Sequence, residues 1–406
     1  MAWRNIWRNR RRTLLTIAAV GFASALLVFM LSFQFGSYDA MINASVRIHT
    51  GHLQVQAEGY HDKQRIQQVV ADPGAVGNIL DRIPRILAHT DRARAFCLVS
   101  SQDRTYGVMV IGIDPKREAQ VTTIEKLIRE GVYLDGTDTT QGLIGGFLAE
   151  NLKVGVGDEL TVLGQGKDGS IAATVITVKG IFRSGMADFD RSVVQIPLPY
   201  FQEVFAMDGS VHEVAVVGQS LGDIAPIAAQ TTRALAGSLS GKALVVLDWQ
   251  DLMPGLAQGI SMDLVSGLIM YLVLIMVVAF SILNTFLMAI FERTREFGVL
   301  MAIGTTPERL VRLMLAESAV MTLIGVAAGI ALGVGVTLFF QAHGIDLAGA
   351  SEILEHYGIS GRIYPKLSWL STFLGPAMVL AVTFPAALYP ALKIRKLKPV
   401  EAMSFN

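Results

Sequence analysis

Charge is scarce in this chain of 406 residues: Asp, Glu, Lys and Arg make up 17%, where soluble chains carry about a quarter. With 52% hydrophobic residues, long uncharged stretches must follow, which excludes an ordinary soluble protein. Net charge is also missing, with 34 basic and 34 acidic residues. A strongly basic nucleic-acid binder is therefore excluded, and no nucleic acid is expected as a partner. The single cysteine, Cys97, rules out an intramolecular disulfide framework and any Cys-rich zinc or iron–sulfur site. Thirteen prolines are too few for a Pro-rich disordered chain.

What is present is four stretches free of Asp, Glu, Lys and Arg, at residues 13–38, 264–291, 318–345 and 367–392. Each exceeds the roughly 20 residues a helix needs to cross a bilayer, and their freedom from charge is what mid-bilayer energetics demand. An Arg-rich segment precedes the first, as in a signal peptide. That run is longer than a signal core, however, and residues 34–38 offer no small-x-small cleavage site, so it reads as a retained helix. Three basic clusters set the orientation. They are Arg4, Arg8, Arg10, Arg11 and Arg12; Arg293, Arg295, Arg309 and Arg312; and Lys393, Arg395, Lys396 and Lys398. Four crossings put all three on one side, so both termini are expected in the cytoplasm. Residues 39–263 and the short loop 346–366 are then exported. The large exported segment carries 19 basic and 26 acidic residues, so a neutral total conceals an acidic outside.

The expected fold class is an α+β membrane protein with four transmembrane helices and a large extracytoplasmic α+β domain between helices 1 and 2. Residues 1–12 form a cytoplasmic amphipathic helix, 13–38 the first crossing and a stalk, and 39–263 the exported domain. Residues 264–406 hold the other three crossings, with a short cytoplasmic segment at about 292–309. In the exported domain, strands are expected at 52–56, 95–100, 107–113, 159–163, 172–182, 192–196 and 213–217. Helices are expected at 74–83, 121–130, 147–153, 198–205 and 224–236. The domain divides into two lobes on this reading.

Chemistry is hard to find there. His49, His52 and His61 lack a cysteine companion, and a strand would point His49 and His52 to opposite faces, so surface histidines are favoured over a metal site. Gly164-Gln165-Gly166-Lys167 resembles a phosphate loop faintly. The full pattern needs Gly where Thr161 stands and Ser or Thr where Asp168 stands, so a hairpin turn is expected. Cys97, in an apolar run, reads as a buried hydrophobe. No catalytic residue and no metal ligand is assigned.

The helices say more. Gly325, Gly329 and Gly333 recur every four residues, a small-residue stripe that lets another helix approach. Trp3 and Trp7 share one side of a basic N-terminal helix, which is expected to lie in the headgroup region as an interface anchor. Residues 292–309 are amphipathic and charged at their start. Thr306 is placed to cap a helix beginning at Pro307, and Gly298 and Gly304 permit tight turns or close approach.

One pattern becomes specific. Glu292-Arg293-x-Arg295-Glu296-x-Gly298-x-Leu300-x-Ala302-x-Gly304 resembles the hallmark of the MacB/LolC/FtsX superfamily of ABC transporter permeases. The ending Lys398-Pro399-Val400-Glu401-Ala402-Met403 and the opening Trp3-Arg4-Asn5-x-x-Arg8-Asn9 are similar to that family's termini. So is Leu148-Ala149-Glu150-Asn151-Leu152-x-Val154-x-Val156-Gly157-Asp158 within the exported domain. The resemblance implies a coupling helix at 292–309, with Glu292, Arg293, Arg295, Glu296, Gly298, Gly304 and Pro307 contacting an ATPase subunit. It implies two copies of that ATP-binding subunit, which hold the ATP and Mg, and a second permease that is identical or a paralogue. This chain would bind no cofactor itself. It also implies the bacterial inner membrane, with a periplasmic chaperone or adaptor as a further partner. Gly112-Ile113-Asp114-Pro115 with Glu118 and Val121, and Glu130-Gly131-x-Tyr133-Leu134, resemble the lipoprotein-releasing LolC/LolE branch. The hairpin at 164–170 departs from it, being shorter than the chaperone-recruiting hook. A MacB-like efflux permease with an adaptor is the alternative, and an FtsX-like regulator comes third. A membrane-anchored receptor would have no need of a coupling helix, and an exported enzyme would need a catalytic constellation.

Overall fold

The computed structural model describes residues 10–102, 104–238, 243–346 and 362–393. The chain divides into two units. In chain order, helix α1 (Arg10–Ser45) ends in a π-helical turn at Val46–Thr50. Then come β1 (Leu53–Ala57), α2 (Tyr60–Lys63), α3 (Pro73–Leu80), β2 (Ile86–Ser101), β3 (Arg104–Ile113) and α4 (Pro115–Val121). They are followed by β4 (Ile128–Gly131), β5 (Gln141–Gly145), α5 (Gly146–Leu152), β6 (Glu159–Gln165) and β7 (Ile171–Phe182). The unit closes with α6 (Ala187–Ser192), β8 (Val193–Pro197), α7 (Leu198–Val204), β9 (Glu213–Gly218), α8 (Ile224–Ser238), β10 (Leu244–Asp248) and α9 (Trp249–Leu252). The last helices are α10 (Pro254–Glu292), α11 (Thr294–Ala302), α12 (Pro307–His343) and α13 (Trp369–Lys393).

Among the described residues, four helices, α1, α10, α12 and α13, are long and apolar enough to cross a membrane. At the helical rise, the 39 residues of α10 span about 58 Å, well beyond a hydrocarbon core of about 30 Å. They share one apolar core. Val20 and Leu27 of α1 meet Tyr271 and Ile275 of α10, Met321 and Val326 of α12, and Val379 of α13. Other faces are apolar and exposed, for example Val265, Ile269 and Val277 on α10. Such faces suit lipid, where no hydrophobic force drives them inward.

The second unit holds a ten-stranded mixed sheet in the order β10-β1-β9-β2-β3-β8-β5-β7-β4, with β6 pairing β2 and β7. Alternation drives its burial. Along β6, Leu160 and Val162 face inward while Glu159, Thr161 and Leu163 face out. Two principal apolar centres flank it. One gathers Val108, Leu148, Ile176, Phe201 and Phe205. The other gathers Leu53, Val76, Leu80, Val216 and Ile227.

The structure differs from the sequence reading at several points. Residues 121–130 are not one helix. Asp114 caps α4 by accepting from the Lys116 and Arg117 amides, and the helix stops at Val121. The chain then enters β4, because pairing with β7 overrides local propensity. Strands β5 and β10 were not expected. Strand β2 begins at Ile86 rather than 95, since its first half pairs with β9. His49 lies on the π-helical turn instead of a strand, and His52 precedes β1. The turn at 164–170 is a hairpin between β6 and β7, closed by the Gly166 amide to the Ser170 carbonyl at 2.9 Å. Gly169 there has φ +89°, a region that favours glycine.

Candidate functional site

Helix α11 and its two flanking turns are built around an inward arginine. Helix α10 stops at Glu292, and Arg293 breaks the helical path with ψ near 7°. Thr294 donates back to the Ile290 carbonyl at 2.8 Å. The Arg293 guanidinium, 15% exposed, donates to Glu296 at 3.2 Å and to Glu317 on α12 at 3.3 Å. It also lies 5.4 Å from the centre of the Phe297 ring, within range of a cation–π contact. Phe297 is fully buried with Ile290, Leu310, Val311 and Met314. One arginine thus ties three helices at a bend, with an apolar plug beneath it.

The outer side of this bend is open. Arg295, Glu308 and Arg309 are exposed there, beside Val299, Leu300 and Ile303, and Ile303 is 78% exposed. Exposed apolar side chains interspersed in sequence with charges of both signs suit protein contact. Gly304 has φ +101° with open space where a Cβ would stand. Only its backbone conformation therefore restricts the position to glycine. Pro307 opens α12, and Thr306 occupies the cap position without a side-chain cap hydrogen bond.

The residues named from the sequence thus separate into two groups. Glu292 and Arg295 are exposed and Glu296 is part-exposed; Gly304 and Pro307 shape the following turn. Arg293 and Gly298 face the interior. Sequence reasoning missed Glu317, whose signal was a lone carboxylate just before an uncharged stretch. It also passed over Val299 and Ile303 as contact candidates. Trp3, Trp7 and the 398–403 ending lie outside the described residues.

The glycine stripe on α12 meets α1. A Cβ on Gly325 would stand 2.9 Å from that of Val20, and one on Gly333 2.9 Å from that of Val28. At Gly329 it would overlap the Gly21 carbonyl oxygen and lie 2.6 Å from the Ser24 Cβ. The stripe therefore serves packing within the chain.

His52 is buried and His49 half-buried, against the expected surface placement, and both are tied into the domain. His52 bonds Asn43 at 3.0 Å and accepts from the Gly218 amide at 3.2 Å, and burial lowers its pKa to about 4. His49 Nδ1 is 3.0 Å from the Arg94 guanidinium, and its ring stacks on Phe189. Among the described residues, no group of three His, Cys, Asp or Glu is placed to hold a metal. Cys97 is 2% exposed, and burial pushes its thiol up to about 12.

Long apolar helices before and after a large α+β domain, with a charged bend between α10 and α12, define a membrane protein that carries one large folded domain. Residues 13–234 match the MacB-like periplasmic core domain, and residues 268–399 match the FtsX-like permease C-terminal family. The chain therefore belongs to the MacB/LolC/FtsX superfamily and is an ABC transporter permease of the LolC/LolE/MacB type. It is 25% identical over 395 residues to the lipoprotein-releasing system transmembrane protein LolC of Xylella fastidiosa (strain Temecula1), covering 94% of this chain and 89% of that one. To the LolE protein of Haemophilus influenzae it is 24% identical, covering 80% and 79%. A macrolide export ATP-binding/permease protein MacB of Bdellovibrio bacteriovorus is 30% identical over 178 residues, covering 42% of this chain and 23% of that one. The crystal structure of the extracellular domain of YknZ aligns with 49% of this chain and all of that one, at 16% identity and a TM-score of 0.37. Membership of ABC transporters implies an ATP-binding partner.

Proposed function

We propose that the chain is the permease subunit of a lipoprotein-releasing transporter in the bacterial inner membrane. Two copies of a separate ATP-binding subunit serve a pair of permeases, identical or paralogous. Both termini and α11 lie in the cytoplasm, following the arginine clusters. The observation that carries this reading is similarity along nearly the whole chain to LolC, a relative named for lipoprotein release. The exposed side of α11, with Arg295 and Val299, and Ile303 just beyond its end, supports a contact with the ATPase. Apolar anchors supply affinity at such a surface, and its charges fix register. ATP-driven movement there passes along α1 and α10 to the exported unit, which acts on lipoprotein at the outer leaflet. A MacB-like efflux role is the second reading. The short turn at 164–170 favours it, because a hook-type chaperone contact has little chain to use.

The test is purification in mild detergent with identification of bound proteins and acylated species. An ATPase is expected with the wild type and should be depleted for Ile303→Asp and Glu296→Arg. Lipoprotein in the eluate, released from proteoliposomes on ATP addition, supports the branch. A bound periplasmic adaptor without lipoprotein would favour efflux. Absence of any ATPase under every gentle condition would refute the transporter reading. A cytoplasm-active reporter should work after Asn406 and be silent at Gly166; the reverse would overturn the orientation.

A further inference from the structure

The last turn of α1 is held in the exported unit by a buried charge cluster that its apolar surroundings do not require. Arg92 on β2 is 2% exposed, Glu118 on α4 1% and Glu213 on β9 0%. Arg92 grips Glu118 with two hydrogen bonds, of 2.9 and 2.8 Å. It reaches Glu213, its direct cross-strand neighbour, at 3.1 Å. Arg94 reaches the same Glu213 oxygen at 2.8 Å. Burial alone would lower the Arg92 pKa, but the two carboxylates more than reverse that and raise it.

The cluster's remaining donors go to the helix end. Arg92 donates to the His49 carbonyl. Arg94 lies 3.0 Å from His49 Nδ1, and since a guanidinium can only donate, Nδ1 accepts and the ring proton sits on Nε2. The Thr123 amide donates to the Arg47 carbonyl at 2.9 Å, with its hydroxyl at 3.3 Å. The π-helical turn closes with the Gly51 amide on the Val46 carbonyl at 2.7 Å. Carbonyls that a helix normally leaves open at its C-terminus are thus taken by fixed donors from β2 and the α4–β4 connection. Helix α1 runs unbroken from Arg10 to this joint.

Stability does not explain such a cluster, because replacing a buried ion pair by apolar residues of equal volume is often neutral or stabilising. Directional contacts do what an apolar contact cannot: they forbid axial slip. We infer that Arg92, braced by Glu118 and Glu213, is a positioning residue that locks the register of the α1 terminus to β2 and β9. Displacement of α1 is thereby delivered to the exported sheet. This rests on the proposed ATP-driven movement, and π turns recur at functional sites.

The experiment uses permease co-purified with its ATPase in lipid nanodiscs, read by hydrogen exchange over residues 86–101 and 213–218 with and without ATP. Wild type is expected to show an ATP-dependent exchange difference in these strands. Arg92→Met and Arg94→Met with Glu118→Gln and Glu213→Gln should lose that difference while matching wild type without nucleotide and keeping ATP hydrolysis. Adding Arg47→Cys and Thr123→Cys, oxidised to a disulfide, should restore it. In the otherwise wild-type chain the same disulfide should leave the difference intact, which keeps the test open if the neutral variant does not fold. Full transmission by the neutral variant, or a block by the disulfide alone, would overturn the lock. Hydrolysis without any ATP-dependent change in wild type would overturn the mechanical reading beneath it, and the lock with it.

Discussion

Replacing Gly329 with alanine tests the packing of α12 on α1 at its tightest point. The added methyl would overlap the Gly21 carbonyl and stand 2.6 Å from the Ser24 Cβ, where ordinary contact begins at 3.4 Å. The neighbour is backbone, so no rotamer change relieves it. The helices must part by about 1 Å locally to clear the Gly21 carbonyl, and overpacking of this kind costs about 1–3 kcal/mol. That is a large fraction of a marginal stability and changes the folded-to-unfolded ratio about 5- to 160-fold. A methyl added at Gly335, on the same helix, would meet nothing within 4 Å, so Gly335→Ala is the control. Titration of purified permease from mild detergent into SDS, followed by loss of helix circular dichroism, should show an earlier midpoint for Gly329→Ala and no shift for Gly335→Ala. Equal midpoints would refute the claim that the stripe sets the α1–α12 distance.

Three further outcomes are expected. Arg293→Ala removes two charge-assisted hydrogen bonds, to Glu296 and Glu317, and should destabilise the α10–α12 bend by about 2–3 kcal/mol; an unchanged SDS midpoint would contradict the brace. His212 is fully buried, accepts from the Arg94 amide at 2.8 Å, and has its pKa lowered to about 4 by burial. Its unfolded form binds a proton first, so stability is whole above about pH 6.5 and falls toward pH 4, by on the order of 3 kcal/mol. Exchange protection of β9 measured across that range should fall less steeply in His212→Gln, the remaining dependence coming from His52, and an identical profile would count against it. Cys97 should resist alkylation in the native permease and react only after denaturation; rapid native labelling would show that its strand opens.

Membrane character was legible from the sequence because hydropathy is a local sum: twenty uncharged residues declare a crossing whatever they pack against. The hairpin at 164–170 was legible for a similar reason, since Gly166, Asp168 and Gly169 carry turn chemistry in themselves. Gly325, Gly329 and Gly333 announced a packing face by spacing, but only the tertiary structure decided that Gly21 and Ser24 of the same chain fill it. Strands β4 and β10 were invisible because their pairing with β7 and β1 is non-local and overrides weak propensities. Arg293 looked like a surface charge among surface charges. Its partner Glu317 stands 24 residues later, and the fold alone turns it inward. Arg92, Glu118 and Glu213 are scattered over more than a hundred residues, so no window of sequence contains their cluster. Local composition determined which segments meet lipid and which meet water, while long-range pairing decided which charges are buried together and what they hold.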